Sequence, residues 1–419
     1  MSREADKMPG EIDECARSRG LYARVQAPGC YSVAGLNAGL KPALQFLMEF
    51  RFETIEYDRT LPNLPKHSGV YKIFDVRGKL IVLDKTSNLF DRFLRYYGDR
   101  SERVRDLDLR EITGRIEYIR TDSTFETLYI LYKERKAHFP KTYRKMRTFR
   151  LFTLMKINRK QRFPRIYASR QIKAGVDYFG PFVSRGQFTR LKTALERTFK
   201  LRPCLYNIRG NDPHPDCLYF QMHTCSRPCN NDIDRRGYLE DVHEAIAFIE
   251  GRDEDTDHTL VEKMNNLARD MRFEEAEVIR RKLDKIHRAR QEYKDTFFSV
   301  WNFNYLVILG SDSVSRCKIA FVREARVVGF EEYEVESLEE TLGSEIARFF
   351  DVPGDRQSVD RQYDEFCLVS NFIVDPLQSV DLLPVREREN LPKQVTERIR
   401  QLQQRKRKRK PTHADTVAG

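Results

Sequence analysis

The 419-residue chain is 40% hydrophobic and 33% charged, carries 27 Phe and 19 Tyr, and has a formal net charge of +12. So many aromatics exclude a disordered chain and point to folded cores, at a length suited to roughly two to four domains. No apolar run approaches the roughly 20 residues that span a bilayer. The opening MSREADKMPG also lacks the apolar stretch of a secretory signal, so a cytoplasmic protein with no membrane partner is expected.

Residues 1–60 are of mixed polarity and read as an N-terminal extension. From Leu61 to Pro140 a small α/β unit is predicted. Residues 68–74 (SGVYKIF) read as a strand, Arg77-Gly78 as a hairpin turn and residues 79–83 (KLIVL) as the partner strand. Asn88 is placed to cap a helix over 89–97. A third strand at 116–119 leads to Thr124, a predicted cap for a helix over about 125–138 that Pro140 ends.

Residues 141–236 read as a basic linker followed by a cysteine segment. Fourteen Lys and Arg lie between Glu134 and Asp177 with no acidic residue among them. With the six basic residues Arg405 to Lys410, they account for the whole positive balance. Aromatics interleave these charges, which suits a surface that meets phosphates and bases, and Lys156, Arg159, Lys160 and Arg162 are the candidate DNA contacts. A generally solvated basic face is the plain alternative.

Four of the eight cysteines then fall within 26 residues, as Cys204-x12-Cys217-x7-Cys225-x3-Cys229. In a reducing compartment such a cluster suits metal better than disulfides. Four thiolates fit tetrahedral zinc or an iron–sulfur cluster equally well, and spacing alone does not choose.

Residues 237–292 read as helices: one over 237–251, then two short helices folded into an αα-hairpin over 259–290. There Leu260, Met264, Leu267 and Met271, then Phe273, Ala276, Ile279, Leu283 and Ile286, recur at helical spacing. Packing of this hairpin on its own chain is the plain alternative to a docking role. Residues 293–385 turn to strands, at 306–309 and 318–322, and 386–419 read as a charged helix with a disordered basic tail. The expected class is α+β: a small α/β domain, a cysteine-cluster segment, a helical hairpin and a short β-rich C-terminal domain.

Three blocks, in order over roughly residues 61–350, resemble the UvrC family. SGVYKIFDVRGKLIVLDKTSNLFDRF is similar to its GIY-YIG nuclease core. The run from DYFGPFVSRG to the cysteines is similar to its middle segment. MRFEEAEVIRRKLDKI resembles the UVR hairpin that docks on the UvrB helicase. The resemblance implies the front half of a nucleotide-excision-repair protein with DNA and a UvrB-like helicase as partners. For the tetrad it implies a 4Fe-4S cluster, with zinc as the alternative, and for Phe273, Ala276, Ile279 and Leu283 a partner-binding role. The family's RNase H-like nuclease and helix-hairpin-helix repeats are not found, so a 5′-side incision would need a separate nuclease. A weaker reading makes the chain a sensor of iron or oxidation through its cluster.

GIY-YIG enzymes are understood to hydrolyse a phosphodiester with a tyrosine base, a basic residue at the phosphate, and one Mg2+ or Mn2+ on a glutamate. Tyr71, Lys85 and Arg92 stand at the family's positions. The second-strand tyrosine, however, is replaced by Val82 and its glycine by Asp84. The helix FETLYILYKERK puts Leu131, which offers a hard cation no oxygen, at the metal-ligand position. Glu134, nearly one turn on, is the candidate substitute, and the family's Asn after the helix is not found near Tyr143. The expectation is therefore a degenerate nuclease. The alternative is an active endonuclease making a single 3′-side incision with Tyr71, Lys85, Arg92 and Glu134.

Overall fold

The computed structural model describes residues 50–98, 108–205, 207–208, 217–250, 254–293, 298–311, 313, 315–351, 362–375, 380–386 and 388–409. Most of the N-terminal extension, with Cys15 and Cys30, and the tail beyond Arg409 lie outside them. The fold mixes helix and sheet, as the α+β class requires. The first segment runs β1 (Glu53–Glu56), β2 (Gly69–Asp75), β3 (Leu80–Thr86), α1 (Leu89–Tyr97), α2 (Leu109–Ile112), β4 (Thr113–Arg120) and α3 (Thr124–His138). The middle holds β5 (Thr153–Ile157), β6 (Ile166–Ser169), β7 (Asp177–Phe182), α4 (Arg185–Thr198), α5 (Leu218–Gln221), α6 (Arg235–Glu250), α7 (Glu254–Arg269) and α8 (Phe273–Tyr293). After β8 (Phe298–Ser299) come β9 (Tyr305–Gly310), β10 (Arg316–Arg323), β11 (Arg326–Glu334), α9 (Leu338–Phe350), α10 (Gln362–Val374), β12 (Asp381–Pro384) and α11 (Leu391–Arg409).

Three antiparallel sheets result, in the orders β1-β4-β2-β3, β6-β5-β7-β8 and β11-β10-β9-β12. In the first, β2 is covered on both faces, and successive side chains serve opposite ones. Tyr71 and Ile73 pack with Leu89, Phe93 and Tyr96 of α1. Val70 joins Leu83, Ile130 and Leu131 against α3. A Cβ on Gly69 would sit 2.4 Å from the Ile119 carbonyl and 2.9 Å from Leu89, so a side chain there would push β2 off β4. Asn88 caps α1 as predicted, its side chain accepting from the Asp91 amide at 3.3 Å. The cap of α3 is Ser123 rather than Thr124, which is the first helical residue; the Ser123 hydroxyl accepts from the Glu126 amide at 3.1 Å.

The second sheet packs on α4 and α6 through Met155, Phe179, Phe188, Leu191, Tyr238 and Val242. The third is covered by α9 and α11 on one face and by α10 on the other. This last helix belongs to a core that gathers Phe125 and Tyr129 of α3, Phe152 and Leu154 of β5, Val307 of β9 and Phe366 of α10. All three segments therefore meet in one apolar interior.

Charges are buried at the same seams. Asp364 on α10 is 2% exposed. Its carboxylate takes Arg147 at 2.5 Å and the Tyr143 hydroxyl at 3.2 Å. Lys318 on β10 reaches Asp122 at 2.7 Å and Glu126 on α3 at 2.9 Å. Burial raises the Glu126 carboxyl above its ordinary range, with Lys318 opposing the rise. Removing one partner of a buried pair strands the other without water or counter-charge. Arg147→Ala should therefore lower unfolding stability by about 3 kcal/mol in urea titrations. Lys141→Ala, at an exposed position of the same basic stretch, should change it by less than about 0.5 kcal/mol.

Candidate functional site

Strand β2 and helix α1 bring together Tyr71, Arg92 and a residue the sequence reading missed, Tyr96. The Tyr71 and Tyr96 hydroxyls are 3.1 Å apart, and the Arg92 guanidinium lies 5.9 Å from the Tyr96 ring centre. Tyr96 follows Arg92 by four residues, one helical turn, and that spacing is the signal that could have found it. Tyr71 is 0% exposed and packs edge-on against Phe93. Burial, then Tyr96, raises its pKa far above the ordinary tyrosine range. Asp84 is the cross-strand partner of Tyr71, so it shares that face, and its charge acts on both Tyr71 and Arg92.

The other expected site residues lie elsewhere. Glu134 is not beside Tyr71 and Arg92, which corrects its candidacy as the substitute metal ligand. It sits on the α3 side of the sheet, bonded to Lys72 at 3.1 Å and 3.5 Å from His138. Burial alone would raise its pKa, but His138 and Lys72 outweigh that and hold it below the ordinary carboxylate range. Lys85 pairs with Val70 and so starts from that same side. Leu131 is 1% exposed, sealed against Val70 and Leu83. One turn beyond it, Arg135 bonds Asp84 at 3.1 Å and the Met146 carbonyl at 2.5 Å. A fixed guanidinium thus bridges α3 and the β3 position where the family has glycine.

The four cysteines share one neighbourhood. Cys225 and Cys229 are buried, and the Cys225 thiol is pushed up to about 12, first by burial and further by Cys204, Cys217 and Cys229. Among the described residues no three His, Cys, Asp or Glu side chains are gathered into a set that holds a metal as they stand. The donor chemistry nonetheless suits a soft metal centre. Arg202 donates to the Cys204 sulfur at 3.4 Å and the Arg227 amide to the Cys225 sulfur at 3.4 Å, and such donors favour thiolate. Both arginines open an Arg-Pro-Cys triplet. Arg202 is 3% exposed; its Nε donates to the Phe163 carbonyl at 2.9 Å. Its amide donates to the Tyr238 hydroxyl, which in turn donates to the Pro164 carbonyl. Lys200, His223, Arg227 and Asn231 all adopt positive φ in this segment, a concentration of backbone strain that packing must hold in place. Cys317 and Cys367 are buried apart from the tetrad.

The four candidate DNA contacts differ in their surroundings. Arg159 holds Asp177 in a two-pronged pair at 2.7 and 3.0 Å, and half-buried Lys156 lies 5.8 Å from the Tyr167 ring centre. Lys160 and Arg162 are exposed at the tip between β5 and β6. From this same tip, Arg165 reaches the Cys204 carbonyl at 2.9 Å.

Helices α7 and α8 pack as an antiparallel pair, with Met271 in the left-handed region at the turn. The four candidate docking residues divide. Ala276 and Leu283 are buried at 8% and 6% exposure, on a helix that packs against α7 and α4. They therefore serve the chain's own packing, which corrects their assignment as partner contacts. Phe273 is 60% exposed, alongside Met271 and Val278, and Ile279 is half buried.

Among the described residues no helix is long and apolar enough to cross a membrane. The family profile for the UvrC/Cho excinuclease middle domain matches residues 152–248, which hold the basic tip and the cysteines. The UvrABC system protein C of Clostridium kluyveri is 28% identical over 300 residues, covering 70% of this chain and 48% of that protein. Its counterparts in Treponema denticola and Dictyoglomus thermophilum are 29% and 26% identical, covering 66% of this chain and 42% and 46% of theirs. The chain thus spans about half the length of the curated relatives it matches. No solved structure matches it. The middle-domain profile and the relatives together support the UvrC family for this chain.

Proposed function

We propose that the chain is a DNA-binding nucleotide-excision-repair protein whose GIY-YIG-type site no longer cuts. In this reading it docks a UvrB-like helicase through the α7–α8 hairpin. The relatives' name, UvrABC system protein C, supports the repair assignment. The observation that carries the loss of cutting is the sealing of Tyr71. A tyrosine that deprotonates water must reach water and ionise, and Tyr71, at 0% exposure, is shielded from water, with burial raising its pKa. Leu131 gives no ligand oxygen, and Arg135 supplies a fixed positive charge on Asp84 where a divalent ion would need free carboxylate. Arg92 and the exposed basic tip would then serve to hold phosphates rather than to break them.

A second reading keeps an active 3′-side endonuclease. Its support is Asp84, a half-exposed carboxylate on the Tyr71 face, which takes the place given to Glu134 in the sequence reading. It would require release of Arg135.

The tetrad supports a 4Fe-4S cluster held by Cys204, Cys217, Cys225 and Cys229, with zinc as the alternative. When bound, the group would cross-link a segment poor in regular structure, as metal centres do where local cores are small. Arg202 and Tyr238 tie that segment to the β5–β6 tip through the Phe163 and Pro164 carbonyls. The exposed residues at the hairpin turn, Met271, Phe273 and Val278, support docking at the tip rather than along the buried stripe.

Three measurements test these assignments. Incubated with damaged plasmid and Mg2+ or Mn2+, the protein should produce no nicks above background. Nicking that Arg92→Ala abolishes would establish the endonuclease instead. Phe273→Asp should weaken pulldown of a UvrB-like helicase at least ~10-fold with an unchanged circular dichroism spectrum, because this side chain is already in water. Undiminished capture would remove the tip from the interface. Protein purified without oxygen should contain iron and acid-labile sulfide, and Cys229→Ser should lose both. Stoichiometric zinc without sulfide would replace the cluster assignment.

A further inference from the structure

The hydrogen bonds at Cys225 and Cys204 differ in kind. The Cys225 sulfur accepts from the Arg227 backbone amide at 3.4 Å, a donor that almost any residue would supply. The Cys204 sulfur accepts at 3.4 Å from a side chain, the Arg202 guanidinium. The Cys204 carbonyl in turn takes the Arg165 guanidinium at 2.9 Å. Arg202 is 3% exposed, so its orientation is set by the groups it bonds rather than by solvent.

The second prong of Arg202 leaves the cysteine segment. Its Nε donates to the Phe163 carbonyl at 2.9 Å, and Phe163 directly follows Arg162 at the β5–β6 tip. The Arg202 amide donates to the Tyr238 hydroxyl at 3.0 Å, and that hydroxyl donates to the Pro164 carbonyl at 2.8 Å. Tyr238 meets the Phe163 ring edge-on at 5.4 Å, and Cys229 packs in the same core as both. Phe163, Pro164 and Arg165 are thus each bonded to the cysteine segment or to its support, beside exposed Lys160 and Arg162. A guanidinium can hold a carbonyl and a sulfur at once because its donors are fixed in one plane. A lysine ammonium is a single point on a flexible stem, so charge alone does not reproduce the bridge. Metal-bound sulfur carries negative charge, which makes a guanidinium donor to it charge-assisted and stronger.

We propose that Arg202 is a positioning residue that couples the cysteine tetrad to the basic tip. With one prong it orients the Cys204 sulfur for a metal, and with the other it holds the backbone beside Arg162 for phosphate. Loading of the tetrad tightens the first bond and so orders the second. Coupling between two binding sites is reciprocal, so DNA on the tip in turn favours retention of the metal. The inference rests on the metal-centre and DNA-binding readings above and adds that one side chain links them. DNA affinity then depends on metal occupancy without any contact between metal and DNA.

The experiment compares the full chain purified without oxygen, the same protein stripped with ferricyanide and EDTA, and Arg202→Lys in both states. Iron and zinc are both quantified, circular dichroism checks the fold, and fluorescence anisotropy follows a labelled duplex over a range of salt concentrations. Stripping should weaken duplex binding about 10-fold. It should also flatten the log–log salt slope by about 1.8, the contribution of two phosphate contacts. Arg202→Lys should lose metal to EDTA at least ~10-fold faster, and its loaded and stripped forms should bind duplex alike, at the weakened level. Saturating duplex should slow metal loss from the unaltered protein and not from Arg202→Lys. Should the lysine variant not fold, Arg202→Gln, which keeps a neutral donor, takes its place. Equal binding by the loaded and stripped unaltered protein overturns the coupling and leaves both underlying readings standing. A variant that keeps its metal and the full difference between loaded and stripped forms shows that the coupling bypasses Arg202, and the proposal is equally overturned. Unaltered protein with neither iron nor zinc overturns the metal-centre reading and the proposal together, and unaltered protein that binds no duplex does the same to the DNA reading.

Discussion

The Asp364 carboxylate sits on a helix buried along nearly its whole length, where Arg147 and Tyr143 meet it. Those two residues lie more than two hundred positions earlier, in the segment after α3. Helix α10 therefore cannot enter the interior unless the chain after the first sheet is already in position to meet it. The same helix gives Phe366, Cys367 and Phe372 to the core shared by α3, β5 and β9. Lys318 repeats the pattern from the third sheet, reaching Asp122 and Glu126 at the start of α3. Two buried charge contacts thus tie the third sheet and α10 to the chain around α3. Apolar packing supplies the driving force, and the charges set the register, because a shifted arrangement would strand a carboxylate out of water.

This architecture consumes part of what looks in the sequence like a surface for nucleic acid. Of the basic residues between Glu134 and Asp177, Arg135, Arg147, Arg150 and Arg159 are committed to bonds within the protein. Lys160 and Arg162 lie at an exposed tip, Arg162 beside the Phe163 ring, and the tip is itself anchored to the cysteine segment through Arg165, Arg202 and Tyr238. The basic stretch thus does two kinds of work. Its early part joins domains, and its later part faces solvent next to a cluster of thiols. The order of the cysteine segment and the position of the tip are consequently linked by short hydrogen bonds rather than by a flexible tether.

In the proposed reading, the GIY-YIG-like region keeps its fold and has lost its chemistry. Tyr71 still packs on α1 beside Arg92, but its hydroxyl faces Tyr96 in a sealed interior. Leu131 stands where the resemblance sets a metal ligand, and there α3 closes on Val70 and Leu83 as an apolar seam. Asp84 then finds a counter-charge in Arg135. Each replacement is consistent with the others: an apolar seam, a satisfied acid and a buried phenol make a stable small domain.

Much was legible from residue order alone. Strands and helices with strong periodicity, the Asn88 cap, the hairpin and the cysteine spacing all follow from local rules of side-chain alternation, capping and ligand chemistry. These rules act within a few residues, and so does the family resemblance against which Val82 and Leu131 stand out. What residue order could not decide was which face each side chain would share with a distant element. It placed Glu134 beside Arg92 by counting along a helix, whereas the sheet lies between them and Lys72 claims the carboxylate. It set Ala276 and Leu283 beside Phe273 and Ile279 as partner contacts, whereas the chain itself already buries those two. It had no means of finding that QYDEFCLVSNFIV would be buried with its acids inside, because those acids are paid for by Arg147 and by the Val327 amide far away in sequence. A local pattern records which surfaces want burial or charge. Only the tertiary structure chooses their partners, since a buried charge is tolerated where a distant residue meets it and nowhere else.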